Sequence, residues 1–164
     1  MAIMKTNISS QRTQTNNLFK IVWGCCFIAI TSPSSVYAGG VCMVAKELGN
    51  SLAIEWIADA KVSVDSAIEL TKTKLQQQGF SKKKLRDVHV QANTNLTHGY
   101  MVIIKTKYKT PYKTTMGDTR TSYGCGFSAT SSTAAEQAAV DNLRSYSWGW
   151  KSDYGYELHA RHKF

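Results

Sequence analysis

The first 38 residues have the three parts of a secretory signal peptide, so only the residues after them are expected to form the folded protein. Basic side chains precede a short apolar run at residues 21–30, namely those of Lys5, Arg12 and Lys20. Small residues follow, ending in Val36-Tyr-Ala38. The apolar run is too short for a membrane-spanning helix, which needs about 20 residues. We therefore predict cleavage after Ala38 and a location in the periplasm or outside the cell, with the membrane involved only in export.

Cleavage at this point leaves residues 39–164, which is the size of a single small domain. Three of the 20 basic residues and none of the 11 acidic residues lie before the cut, so the net charge falls from +9 to +6. A positive surplus favours anionic partners, either an acidic protein or an anionic polymer of the envelope. It is equally typical of a soluble domain that uses its charge only for solubility.

The mature chain retains two of the four cysteines, Cys42 and Cys125. In an oxidising compartment, an even count predicts one disulfide between them. The alternative is a pair of separate buried thiols.

Hydrophobic periodicity predicts seven secondary-structure elements. Strands are expected at 52–58, 87–92, 99–109, 122–128 and 154–164, and helices at 63–78 and 132–146. Ser63 is a suitable N-cap for the first helix, and Thr133 with Glu136 matches a capping box for the second. Residues 110–121 are polar, contain proline and glycine, and are predicted to form a loop.

This order of elements predicts an α+β fold, βαββ followed by βαβ. We expect the two helices to pack on one face of an antiparallel or mixed sheet. The segments 52–92 and 120–160 also match weakly at an offset of 68 residues, which predicts an internal repeat, although chance similarity explains so few identities equally well.

The sequence NLTHGYMVIIK at residues 95–105, within the segment 54–107, resembles the YhcN-like family of periplasmic stress and biofilm proteins. The same segment is similar in order to the dodecin βαββ topology, but it lacks that family's flavin-stacking tryptophan. Residues 63–146 are similar in order to the double-stranded RNA-binding domain, yet they have no lysine at positions 130–134, where that family binds phosphate. The resemblance therefore implies a periplasmic stress protein, and we expect neither a cofactor nor a nucleic acid partner.

Basic residues concentrate in two segments and are predicted to form one anion- or partner-binding patch if the two strands pair. The patch comprises Lys82, Lys83, Lys84, Arg86, Lys105, Lys107 and Lys109. A solvated strand face whose lysines prevent edge aggregation is the alternative interpretation.

Aromatic residues concentrate between the second helix and the last strand and are predicted to form a partner-binding loop. They are Tyr146, Trp148, Trp150 and Tyr154. Tryptophan and tyrosine dominate binding hot spots, although the same residues could instead cover one end of the core.

The remaining polar residues predict no catalytic group and no metal site, because no known ligand spacing or nucleophile motif is present. Glu157, His159 and Arg161 are expected to share one face of the last strand, as the charges of a surface strand. We therefore predict a non-enzymatic binding protein of the bacterial envelope. A periplasmic immunity or inhibitor protein is the second interpretation and a small cell-wall hydrolase the third; the pattern predicts no oligomeric state.

Overall fold

A computed structural model describes residues 39–83, 86–115 and 117–164. The predicted signal peptide lies outside these residues. The described chain forms six strands and two helices. In order they are β1 (Gly39–Glu47), β2 (Asn50–Asp59), α1 (Val64–Gln77), β3 (Arg86–Thr94), β4 (Tyr100–Thr114), β5 (Gly117–Ser128), α2 (Ser132–Tyr146) and β6 (Glu157–Lys163).

The strands form two antiparallel sheets of three strands each. The first sheet has the order β2-β1-β3, and the second has the order β5-β4-β6. Each half of the chain is thus a hairpin, a helix and a third strand that pairs with the first strand of its own hairpin. The two halves share this topology; the internal repeat between residues 52–92 and 120–160 stays a prediction.

Each central strand is buried on both faces. In β1, Val41 and Met43 pack with α1, whereas Cys42 and Val44 point into the core between the sheets. In β4, Val102 and Ile104 pack with α2, and the alternate residues Met101 and Ile103 join the same inter-sheet core. The layers therefore follow the order α1, first sheet, second sheet, α2.

The α+β class is confirmed, but the single sheet with both helices on one face is not observed. The expected order lacked β1, whose residues are apolar on both faces and so do not alternate with polar ones. Since β1 pairs with both β2 and β3, the first half has a complete sheet of its own. Each helix then covers the outer face of its own sheet.

The disulfide between Cys42 and Cys125 is present and joins β1 to β5 within the inter-sheet core. The two Cα atoms are 6.5 Å apart, within the range that a disulfide spans. The bond therefore connects the two halves of the chain across 83 positions of sequence.

A buried polar network joins the two halves beside the disulfide. The side-chain amide of Gln91 on β3 donates to the carbonyl oxygen of Tyr123 at 3.1 Å and to Oδ1 of Asn142 at 3.0 Å. Asn142 on α2 donates to the carbonyl oxygen of Gln91, and its Oδ1 accepts from the backbone amide of Cys125. Because every bond crosses between elements, the network fixes α2 and β5 against β3.

Local sequence accounts for both helices, with one correction. Oγ of Ser63 accepts from the amide of Ser66 at 3.2 Å, as the predicted N-cap requires. The second helix is capped by Ser131, whose Oγ accepts from the amide of Ala134 at 3.0 Å, rather than by the Thr133 capping box. Glu136 instead binds Tyr156 and Arg161 through its carboxylate.

The predicted loop at residues 110–121 is largely the far end of the β4–β5 hairpin. The pairing continues past Lys109 to Thr114 and Gly117 with a register shift, which accommodates Pro111. Residues 154–156 precede β6 rather than belong to it, and Tyr154 ends a short 3₁₀ turn, Ser152–Tyr154.

Helix α2 lies unusually close to β5, since Gly124 and Gly126 face its alanines. A Cβ atom at Gly126 would overlap the carbonyl oxygen of Ala135. We predict that Gly126→Ala lowers the free energy of unfolding by about 2–3 kcal/mol, as overpacking does. Urea denaturation measures this value. Thr119→Ala, on the exposed part of the same strand, is the control and should change it by less than about 0.5 kcal/mol; equal effects would contradict the close contact.

Candidate functional site

Aromatic side chains gather at one end of the second sheet, in a surface that we call the aromatic end. It consists of Tyr108, Tyr112, Tyr146, Trp148, Tyr154 and Tyr156. Of these, only Tyr108 is buried. Trp148 is 69 % exposed and Tyr112 is 57 % exposed, which is far more than such side chains show in a core.

The turn after α2 displays one tryptophan and buries the next. The amide of Trp150 donates to the carbonyl oxygen of Ser147 at 2.9 Å, and Gly149 has a φ of 88°, which favours glycine. The indole Nε1 of Trp150 donates to Oγ1 of Thr106 at 3.3 Å in the interior. Trp150 therefore anchors the loop and Trp148 projects from it.

A cavity of about 230 Å³ lies beneath Trp148. Its aromatic walls come from the hairpin and from the end of α2, with the rings of Tyr112 and Trp148 4.7 Å apart at their centroids. The hydroxyl of Tyr108 donates to the carbonyl oxygen of Trp148 at 3.3 Å and so ties the loop to β4. We call this cavity the Trp148 pocket.

Two cationic side chains also line the Trp148 pocket. The Nζ of Lys46 donates to the carbonyl oxygen of Tyr146 at 3.2 Å and lies 5.4 Å from the centroid of that ring. Burial lowers the pKa of Lys46, and the carboxylate of Asp87 partly opposes this shift. Arg120 is only 4 % exposed and makes its hydrogen bonds to backbone carbonyls and to Thr114.

A second cavity, of about 360 Å³, is lined by residues of β4 and of the segment that leads into β6, among them Lys105, Lys107, Tyr154, Tyr156 and Glu157. The rings of Tyr108 and Tyr154, 5.9 Å apart, connect the two cavities. Lys105 forms an ion pair with Glu157 at 3.5 Å. The aromatic end is therefore bordered by lysines.

Three residues of the predicted aromatic loop, Tyr146, Trp148 and Tyr154, are exposed in the aromatic end, whereas Trp150 is buried. The predicted loop did not include Tyr108, Tyr112 or Lys46, which lie on β4 and β1, far from the loop in sequence. The spacing of Tyr108 and Tyr112, four residues apart, was the signal in the sequence for the first two.

The predicted basic patch is divided between two sheets. Lys82 and Lys83 precede β3, which begins at Arg86 and pairs with β1, whereas Lys105, Lys107 and Lys109 belong to β4. Lys84 lies outside the described residues. Arg86 is bound to Glu47 at 2.7 Å and packs over the ring of Phe80, so its charge is already paired.

Glu157, His159 and Arg161 do not share one face, because the register of β6 against β4 shifts between Ile103 and Ile104. Glu157 pairs with Lys105 and His159 packs edge-on against Tyr123 at 5.1 Å, whereas Arg161 reaches Glu136 on α2. The irregularity therefore separates the charges that simple alternation had placed together.

Within the described ranges, no group of three or more His, Cys, Asp or Glu side chains could hold a metal ion. Neither helix in this part of the chain has the length and apolar character that crossing a bilayer requires. Comparison with protein-family models, curated proteins and solved structures gave no match. The resemblance of residues 54–107 to the YhcN-like family therefore stays a prediction.

The environment of His159 generates a pH prediction. Burial lowers its pKa below the usual 6.5, the ammonium of Lys105 lowers it further, and Glu157 acts in the opposite direction. Since the folded-state pKa is below the unfolded one, this histidine should lower the stability as the pH falls below 6.5.

We expect NMR titration to give a pKa for His159 below 6.5, and Lys105→Met to raise that pKa because the repulsion by the Lys105 ammonium is removed while the attraction by Glu157 stays. Lys107→Met, two residues further along the same strand, is the matched control and should change the value little. A wild-type pKa at or above 6.5 would contradict this environment.

Proposed function

We propose that this protein is an exported, non-enzymatic binding protein of the bacterial envelope that takes a protein partner at its aromatic end. The sequence supports export through the signal-like segment 1–38. The intrachain disulfide agrees with an oxidising compartment. The stress or surface role is proposed from the YhcN-like resemblance of residues 54–107.

The single observation that carries the binding proposal is the exposure of Trp148 and Tyr112 as a contacting pair on a rigid support. Large apolar side chains exposed together mark interaction sites, and tryptophan and tyrosine are the residues that contribute most to hot spots. Trp150 and Tyr108 hold this pair in place from below. A partner would therefore meet a surface that is already formed.

The distribution of charge favours a protein with an acidic surface over a purely electrostatic polymer contact. Lys107, Lys109 and Lys113 are exposed. No carboxylate oxygen of the described residues lies within 4.0 Å, the limit for an ion pair, of their ammonium nitrogens. An aromatic centre with a charged border is the anatomy of a protein–protein interface. Lysines at that border steer an acidic partner and raise its association rate.

A periplasmic immunity or inhibitor protein is a second candidate, favoured by the same projection of Trp148. A side chain that is 69 % exposed on a fixed turn can enter the cleft of a toxin or hydrolase. The two candidates differ in the identity of the partner and not in the surface that binds it.

Site-specific photo-crosslinking tests the partner surface in intact cells. A benzoyl-phenylalanine replacing Trp148 should form a discrete crosslinked protein product. The same probe replacing Leu70, which is 51 % exposed on α1, should form none. Against the identified partner, Trp148→Ala should weaken binding by at least about tenfold and Leu70→Ala by less than about twofold.

Equal crosslinking at both positions would contradict the proposal. Crosslinking of Trp148 to polysaccharide alone would assign the surface to an anionic envelope polymer. A partner whose toxic or hydrolytic activity is blocked by the wild-type protein, but not by Trp148→Ala, would establish the inhibitor role.

Fractionation of the cells used for crosslinking tests export. Mass spectrometry of the fractionated protein should find a chain that begins at Gly39 in the periplasm or medium. A chain that retains residues 1–38 in the cytoplasm would contradict this part of the proposal.

A further inference from the structure

The Trp148 pocket contains two positive charges that form no ion pair within the described residues, and Lys46 feels only the more distant field of Asp87. Neither Lys46 nor Arg120 has a carboxylate oxygen within 4.0 Å among those residues. Both side chains nevertheless line the same cavity of about 230 Å³. A charge that is removed from water without a counter-ion is unfavourable, so this pocket is prepared for an anion.

Lys46 supplies the hydrogen-bond donors. Its ammonium has three N–H groups, and within the described part of the chain it donates one hydrogen bond, to the carbonyl oxygen of Tyr146. Asp87 lies opposite Lys46 on β3, but its carboxylate accepts from Nδ1 of His89 at 2.7 Å. Lys46 can therefore donate further hydrogen bonds to a group bound in the pocket.

Arg120 supplies a permanent charge in a less accessible position. Its four terminal N–H contacts go to the carbonyl oxygens of Gly117, Thr119 and Tyr112 and to Oγ1 of Thr114. An arginine cannot lose its proton in a protein, so the field of this charge acts on the pocket at every pH of interest. It thus favours an anion without being its main hydrogen-bond partner.

The walls of the pocket add an apolar requirement. Tyr112, Tyr146 and Trp148 present aromatic surface beside the two cations. The volume accepts one side chain or one small ring rather than a chain segment. Lys46 offers one donor group, and the terminal N–H groups of Arg120 are already engaged, which suits a monovalent carboxylate better than a phosphate with three strong acceptor oxygens.

We infer that the Trp148 pocket binds a carboxylate that adjoins a flat apolar group, supplied by an acidic side chain and its neighbour on the protein partner. This inference rests on the proposed function, because it names the group that the partner inserts at the aromatic end. The carboxylate accepts from Lys46, and the apolar group contacts the rings of Tyr112 and Trp148.

Sodium phenylacetate is the probe, and phenylacetamide is its uncharged counterpart of equal shape. In ¹⁵N NMR titrations of the disulfide-bonded mature protein, phenylacetate should shift the indole N–H signal of Trp148 and leave that of Trp150 in place. A dissociation constant in the millimolar range is expected for a ligand of about ten non-hydrogen atoms. Phenylacetamide should bind about tenfold more weakly, since it cannot form the charge-assisted bond.

Lys46→Met keeps about the length of the side chain and removes the charge. It should therefore lower the affinity for phenylacetate to that of the wild-type protein for phenylacetamide. The matched control is Lys163→Met, because Lys163 also lies over a tyrosine ring, 5.6 Å from the centroid of Tyr100, and is not among the pocket residues. It should leave binding unchanged within about twofold. Arg120 is not substituted, since its hydrogen bonds support the hairpin.

Equal affinities for phenylacetate and phenylacetamide would overturn the inference. Equal losses of phenylacetate affinity in Lys46→Met and Lys163→Met would also overturn it. Absence of any shift at 50 mM probe would also overturn it, and would leave the crosslinking result at Trp148 intact. The two proposals therefore fail separately.

A blocked Asp-Phe dipeptide and glucuronic acid distinguish the sources of the carboxylate. Tighter binding of the dipeptide supports a protein partner. Tighter binding of the sugar acid supports the carboxylate site and contradicts the protein partner.

Discussion

Burial of β1 and β4 on both faces is the constraint on which the rest of this structure depends. Each central strand directs one set of side chains to a helix and the other set to the core between the sheets. The disulfide between Cys42 and Cys125 lies in that inter-sheet core and joins the two halves of the chain. Since helices and sheets cover these broad faces, the strand ends and the turns provide much of the surface where a ligand can bind. The aromatic end occupies such a position, and its exposed rings stand on buried ones.

The parts of the fold that depend on local sequence were predictable. The helix α1, its Ser63 cap and the disulfide follow from spacing, capping chemistry and the cysteine count after export. The strand β1 was missed because a strand buried on both faces has no polar alternation, and this omission produced one sheet in place of two. The extended hairpin was missed as well, since Pro111 and Gly117 are turn-forming residues that a register shift allows within a strand pair.

In the candidate site as well, residues that are close in sequence were predictable and residues from distant strands were not. Tyr146, Trp148 and Tyr154 are neighbours in sequence, so their common location could be inferred from the chain itself. Lys46 and Arg120 reach the pocket from β1 and β5, and no pattern along the sequence brings them together. The pairing of strands on which the expected basic patch depended is not observed, because β3 and β4 belong to different sheets. Once β3 pairs with β1, the lysines that precede it belong to a different sheet from those of β4.

The covalent link through the inter-sheet core holds together the two halves that build the site. Urea unfolding of the wild-type protein and of the Cys42→Ala, Cys125→Ala double variant measures how much that link contributes. Because the bond closes a loop of 83 positions, its loss should lower the free energy of unfolding by about 4 kcal/mol in the chain-entropy treatment. Equal free energies of unfolding for the two proteins would show that the disulfide does not hold the two halves together.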